Sequence, residues 1–197
     1  MTITGVVLAA GKSERMGCNK LLMPFGQQTV FETTLQNVIS SRVDRIIVVS
    51  GYEHERIERL AKRWSSERVQ TVFNPDYSRG RAESIKLAVR FAGVQSEAML
   101  FMVADKPTVT TDLIDRAIER FVRDRPALLY VNTPSGRGHP IIFGEALFAE
   151  LASLSGDSVG NDLVTRYRAN SIELWDDTEQ IDIDTPADYR MAIGQCV

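Results

Sequence analysis

The sequence predicts an α/β sandwich, and two observations carry that expectation. Short apolar, β-branched runs alternate with longer stretches of helical period, the pattern of parallel strands joined by right-handed helical crossovers. The chain has 197 residues, 44% of them hydrophobic, enough to bury one substantial core and too few for two full-sized domains. A single domain over 1–197 is therefore expected, with no internal repeat, low-complexity tract or linker.

Taken in order, I-T-G-V-V-L at 3–8 reads as the first strand, and helical period takes over at 29–39. R-I-I-V-V-S at 45–50 gives a second strand before a helix over 53–64, and V-Q-T-V-F at 69–73 a third before a helix over 82–91. The continuous apolar run A-M-L-F-M-V at 98–103 has the composition of a buried strand and precedes a helix over 111–123. Two further strands are expected over 127–132 and 140–143, helices over 145–154 and 162–168, and a last strand over 171–175. Several of the helices have a capping residue in front. The final one, over 186–193, opens with Thr185 as N-cap and Pro186 at the first helical position.

Charge and cysteine content exclude several classes of partner. A formal net charge of -3, with both signs scattered evenly, leaves no basic face for a polyanion, so no nucleic acid partner is expected. No apolar stretch approaches the roughly 20 residues of a membrane helix, and the N-terminus lacks the order of a signal peptide. The expectation is a cytoplasmic protein with no membrane partner. Cys18 and Cys196, the two cysteines, form neither a disulfide framework nor a metal cluster and read as reduced thiols.

The first strand ends at Leu8, and the loop L-A-A-G-K-S-E-R-M-G-C-N-K over 8–20 mixes small residues and glycines with Lys12, Arg15 and Lys20. A close-approaching backbone thus meets three cations at a strand's carboxyl end, where open α/β sheets bind ligands. Backbone N–H groups can cradle phosphate oxygens, while Arg offers a planar fork and Lys a point charge. The spacing is neither that of a Walker loop nor that of a dinucleotide fingerprint. The same composition also suits an ordinary surface turn.

Asp105, in A-D-K-P after the buried run, stands at the carboxyl end of its strand beside the same cleft. A hard cation such as Mg²⁺ takes one or two carboxylates plus phosphate oxygens, which makes Asp105 the leading metal ligand; capping the turn before Pro107 is its other reading. The segment N-P-D-Y-S-R-G-R-A-E-S-I over 74–85 combines a rigid turn, a glycine and a hydroxyl near a helix N-terminus. Such a segment can read a base edge, and it can equally be an Asn-Pro turn before a capped helix.

These motifs carry a resemblance. L-A-A-G-x-S-x-R-M-G-x-x-K and D-x-P are similar to elements of nucleotidyltransferases of the MobA-like and sugar-nucleotide pyrophosphorylase superfamily, and N-P-x-x-x-x-G-x-x-x-S and G-x-G-H-P resemble elements of its molybdenum cofactor cytidylyltransferases. The resemblance covers essentially the whole chain in the family's order. It implies a Rossmann-like, three-layer α/β/α sandwich with a mostly parallel, mixed sheet, the nucleotide-diphospho-sugar transferase fold. It further implies that Leu8, Ala9, Ala10 and Gly11 bind the nucleotide and that Arg15 and Lys20 hold its β- and γ-phosphates. Asn74, Gly80 and Ser84 are implied on the base side, and Arg15, Lys20 and Asp105 as the catalytic set.

I-D-I-D-T-P-A-D-Y over 181–189 resembles the element that supplies a second metal carboxylate in these proteins, which makes Asp182 and Asp184 candidates beside Asp105. Alternation along an extended segment would put both on one face, so spacing does not choose between them. His139, in G-R-G-H-P over 136–140, is implied at the acceptor pocket, and Arg81 is a candidate for the acceptor's phosphates or a solvated cation.

The chain departs from the family at Lys106, where Met or Gln is common, and at Asn161 and Asp162, which stand where Ala-Arg is typical. The expected function is Mg²⁺-dependent transfer of CMP from CTP to the terminal phosphate of molybdopterin cofactor, with pyrophosphate released. Ala10, where guanylyltransferases carry glycine, points to CTP. A guanylyltransferase, a sugar- or alcohol-phosphate cytidylyltransferase, and a non-catalytic protein delivering cofactor to a molybdenum hydroxylase are the alternatives.

Overall fold

The elements run β1 (Ile3–Ala9), β2 (Pro24–Phe25), β3 (Gln28–Thr29), α1 (Val30–Ile39), β4 (Arg45–Ser50), α2 (His54–Lys62), β5 (Val69–Phe73), α3 (Arg81–Ala92), β6 (Ala98–Val103), α4 (Thr111–Asp124), β7 (Leu128–Thr133), β8 (Gly136–Gly144), α5 (Phe148–Ser153), α6 (Asn161–Arg166), β9 (Asn170–Glu173) and α7 (Pro186–Gly194). The computed structural model describes residues 1–64, 67–92, 95–156, 161–167, 170–174 and 177–194. Expectations at 157–160, Arg168, Trp175 and Cys196, and for the side chains of Asn161 and Asp162, lie outside the described residues.

Seven strands form one sheet in the order β5-β4-β1-β6-β8-β7-β9. β1 pairs in parallel with β4 and β6, and β4 with β5. Within this sheet, among the described residues, only β8 runs against its neighbours, antiparallel to β6 and β7. The reason is the length of its connection: Pro134 and Ser135 alone join β7 to β8, and a parallel crossover needs a dozen or so residues.

Alternation along the strands divides the core in two. Val7, Val48, Leu100 and Met102 face α1, α2 and α4, where Phe31, Ile57 and Ile114 are fully buried. Val6, Val49, Met99 and Phe101 face the other way, against Ile85 and Ala88 of α3, Leu151 of α5 and Leu163 of α6. Helices thus cover both sheet faces, giving the expected three-layer α/β/α sandwich. α1 is fixed at its start by a capping box, Thr29 with Glu32. Among the described residues no helix is long and apolar enough to cross a membrane.

The differences from expectation have local causes. The strand expected over 140–143 extends across Gly136–Gly144, because Pro140 sits at a register shift where Tyr130 pairs with Ile141 and Val131 with Gly138. A bulge of this kind tolerates a residue with no N–H to donate. The helix expected over 145–154 divides into a 3-10 turn at Glu145–Leu147 and α5. Residues 181–184 are not a strand: Asp184 N donates to Asp182 O at 3.1 Å, a tight turn that removes the expected alternation.

Candidate active site at the carboxyl ends of the strands

β1 and β6 end side by side, and the loops that follow them enclose a cavity of about 500 Å³. After β1 the chain folds into two 3-10 turns, Glu14–Met16 and Lys20–Leu22. Ser13 and Gly17, both left-handed (φ 56° and 69°), bracket the first of them, and the Asn19 side chain caps the second by accepting from Leu21 N. These reversals carry Lys12, Arg15 and Lys20 to the cavity wall, with Leu8, Ala10 and Gly11 at its floor.

The loop is anchored from behind by β4. Tyr52 N donates to Ala10 O at 3.2 Å. Gly51 lies so close that a Cβ there would stand 2.7 Å from the Cβ atoms of both Ala10 and Tyr77. Only glycine lets these three segments meet.

From the β6 end comes Asp105. Lys20 Nζ forms an ion pair with Asp105 Oδ2 and lies 2.7 Å from Asp184 Oδ1, while Arg15 Nη2 lies 2.7 Å from Asp184 Oδ2. The structure therefore brings Arg15, Lys20, Asp105 and Asp184 together on one wall. Burial works against the Lys20 ammonium, yet the Asp105 and Asp184 carboxylates raise it above the ordinary lysine value. Burial likewise opposes the Asp184 carboxylate, which Lys20 and Arg15 hold below the usual range.

The second oxygen of Asp105, Oδ1, is buried with no hydrogen-bond partner among the described residues. An unpaired carboxylate oxygen in that position is costly and suits a cation ligand. Among the described residues no group of three or more His, Cys, Asp or Glu could hold a metal by itself. Two carboxylates fit a cation that completes its shell with phosphate oxygens. Asp182 is elsewhere. Its carboxylate pairs with Lys106 Nζ at 3.0 Å, and it is not among the residues lining the cavity.

Opposite this wall, Tyr77, Ser78, Arg79, Gly80, Arg81 and Ser84 line the cavity. Gly80 takes a φ of 119° between the 3-10 turn Tyr77–Arg79 and α3. Asn74 does not face the cavity. It is buried behind Ser84 and braces it, donating from Nδ2 to Ser84 Oγ at 2.9 Å and accepting from Asp76 N at 3.0 Å. Ala9 is also buried outside the lining.

His139 lies apart from these residues. Its Nδ1 donates to Phe101 O at 3.2 Å, and its ring borders a separate apolar void of about 10 Å³ with Ile85, Ile141 and Leu151. Burial, then the nearby Lys106 charge, lowers its pKa to about 4, so the ring is neutral at physiological pH.

Two residues with a part in the site, Gly51 and Gln180, carried no functional reading in the sequence, and Lys106 was open between assisting phosphate binding and pointing away. Gly51 seats the first loop. Lys106, noted as a departure, is buried and donates to Gln180 O at 2.7 Å. Gln180 in turn clasps the His139 backbone, accepting from His139 N at 2.8 Å and donating to His139 O at 2.6 Å. A lone glutamine in a loop carries no motif; the buried lysine beside a metal candidate was the only signal.

Comparison with known proteins shows the family and the fold. The family model described as MobA-like NTP transferase domain matches residues 5–171. The chain is 32% identical to the purine catabolism protein PucB of Bacillus subtilis (strain 168), over 96% of this chain and 95% of that one. It is 31% identical to the molybdenum cofactor cytidylyltransferase of Escherichia coli (strain K12), over 95% and 93% respectively. Among solved structures, Rv0371c from Mycobacterium tuberculosis H37Rv superposes with a TM-score of 0.85 at 28% identity, 98% of each chain being covered. The same protein has also been solved in complex with manganese, superposing here at a TM-score of 0.78 and 26% identity over 98% of this chain and 99% of that one.

Proposed function

Because the chain belongs to the MobA-like NTP transferase domain family, a family of nucleotidyltransferases, we propose that it transfers CMP from CTP to the terminal phosphate of molybdopterin cofactor. One domain over 1–197 carries the reaction, in the cytoplasm. The observation that supports this reading is the Lys20 ammonium held between Asp105 and Asp184 on the wall of the cavity. A phosphate-binding cation and a two-carboxylate cation site are adjacent there, as transfer from a metal-bound triphosphate requires.

In this reading Asp105 and Asp184 hold Mg²⁺, which when bound neutralises charge on the triphosphate. The backbone from Leu8 to Gly11 takes the nucleotide, and Arg15 and Lys20 take its β- and γ-phosphates as they leave Asp184. Gly80 and Ser84 face the base, with Asn74 fixing the Ser84 hydroxyl. An acceptor phosphate oxygen attacks the α-phosphorus in line, the bond to the β-phosphate breaks, and pyrophosphate leaves. The attacking phosphate is already an anion, so no general base is needed, which fits a neutral His139 outside the cavity. His139 and Arg81 serve the acceptor side, His139 through the start of β8. A molybdenum hydroxylase is the proposed recipient of the product.

CTP rather than GTP is proposed from Ala10 on the cavity floor and from the likeness to a cytidylyltransferase over nearly the whole chain. The test is turnover with each of four α-labelled triphosphates and molybdopterin cofactor, with Mg²⁺ present and then removed by chelation. Labelled dinucleotide from CTP, lost on chelation, is the expected result. Preference for GTP would overturn the base assignment, and no pyrophosphate release with any triphosphate would favour a delivery protein.

A further inference from the structure

Two aspartates, two residues apart, compete for one role in the proposed metal site, and a neighbouring lysine separates them. Lys106 follows Asp105 directly in the turn after β6, yet the two side chains go separate ways. Asp105 faces the cavity, while Lys106 turns inward and is 4% exposed. Its Nζ donates to Gln180 O at 2.7 Å and lies 3.0 Å from Asp182 Oδ1.

That anchor is rigid. The Gln180 side chain grips both backbone polar groups of His139, and Gly138 leaves it room, since a Cβ there would collide with the Gln180 amide. The ammonium is therefore fixed, and a buried ammonium stripped of its carboxylate is costly, so Asp182 is held to it. Asp184, beyond the tight turn, is left to Lys20 and Arg15.

We propose that Lys106 is a positioning residue that keeps Asp182 out of the metal set, so that Asp184 alone joins Asp105. This rests on the reading of Asp105 and Asp184 as metal carboxylates. Its consequence is a limit on charge. Two carboxylates shared with a lysine bind a free cation weakly and bind it well only with a triphosphate, whereas a third would capture the cation without nucleotide.

The probe is Mn²⁺ bound by the full chain without nucleotide, followed by electron paramagnetic resonance. Lys106→Met should bind Mn²⁺ about fivefold more tightly than the parent, the effect of one unit charge at this range, and Lys106→Met with Asp182→Asn should return to the parent value. Unchanged affinity in Lys106→Met, or no return in the double variant, overturns the proposal. Should Lys106→Met fail to fold, Asp182→Asn in the otherwise unchanged chain decides. A loss of Mn²⁺ affinity of no more than about fivefold, the effect of one unit charge at this range, supports the proposal, and a loss of about fiftyfold or more overturns it. Asp105→Asn separates the underlying reading: if it binds Mn²⁺ as the parent does, the carboxylate assignment fails first.

Discussion

Lys20 Nζ lies 2.7 Å from Asp184 Oδ1, so the cation that should hold a triphosphate is engaged with the carboxylate that should hold its metal. On the proposed reading, binding of a metal-triphosphate pair would exchange partners, with the carboxylates available to the metal and the ammonium to the phosphates. Lys20→Met removes one side of that exchange. We expect kcat/KM to fall at least on the order of 100-fold, about 2.7 kcal/mol. In the same variant free Mn²⁺ should bind more tightly than in the parent, because Asp105 and Asp184 lose their internal cation. Weaker Mn²⁺ binding would show that Lys20 supports the metal site rather than competing with it.

Asp105 separates an enzyme from a carrier. Asp105→Asn keeps the shape of the side chain but removes the charge that balances Lys20. Turnover should fall about a thousandfold, while nucleotide binding, read by equilibrium dialysis in the absence of metal, should persist or strengthen as Lys20 is freed. Equal pyrophosphate release by variant and parent would remove Asp105 from the catalytic set.

The strands were legible because β-branched and apolar runs report burial directly, and the expected ranges at β4, β5 and β6 match the observed ones. Helix ends followed from caps such as Thr185 before Pro186. Less was legible where glycine and proline carry the pattern: Gly136, Gly138 and Pro140 disguise the first half of β8, and β2 and β3 are two residues each. Motifs supplied the candidate residues of the site but not their pairings. Lys20 and Asp184 are 164 residues apart, and the choice between Asp182 and Asp184 depends on a turn and on the burial of Lys106. Gly51 carried no reading in the sequence; its contact with Ala10 and Tyr77 exists only once three loops converge.

That convergence gives a third prediction. In Gly51→Ala the new methyl overlaps Ala10 and Tyr77 at 2.7 Å and the Ala10 carbonyl oxygen at 2.8 Å. The first loop and the Tyr77 turn must separate, at a cost of about 1–3 kcal/mol for overpacking. KM for the triphosphate should rise about tenfold or more, since both walls of the cavity shift, with a lowered melting temperature. An unaltered KM in a destabilised protein would confine Gly51 to a packing role.

The last prediction concerns acid. His139 has a pKa near 4 in the folded chain, lowered first by burial and then by the charge of Lys106, against 6.5 as its ordinary value. Between those two values the unfolded chain binds a proton at this position that the folded chain does not. Unfolding therefore takes up protons, and stability rises with pH across this window and is lost as pH falls through it. With about 1.4 kcal/mol for each pH unit, the His139 contribution approaches roughly 3 kcal/mol by pH 4. His139→Asn keeps an N–H for the Phe101 carbonyl and has no titration here. Urea unfolding from pH 7 to pH 4 should show a shallower loss of stability for the variant than for the parent. Parallel curves would mean that the imidazole is solvated enough to protonate in the folded state, and the acid sensitivity would then belong to the carboxylates.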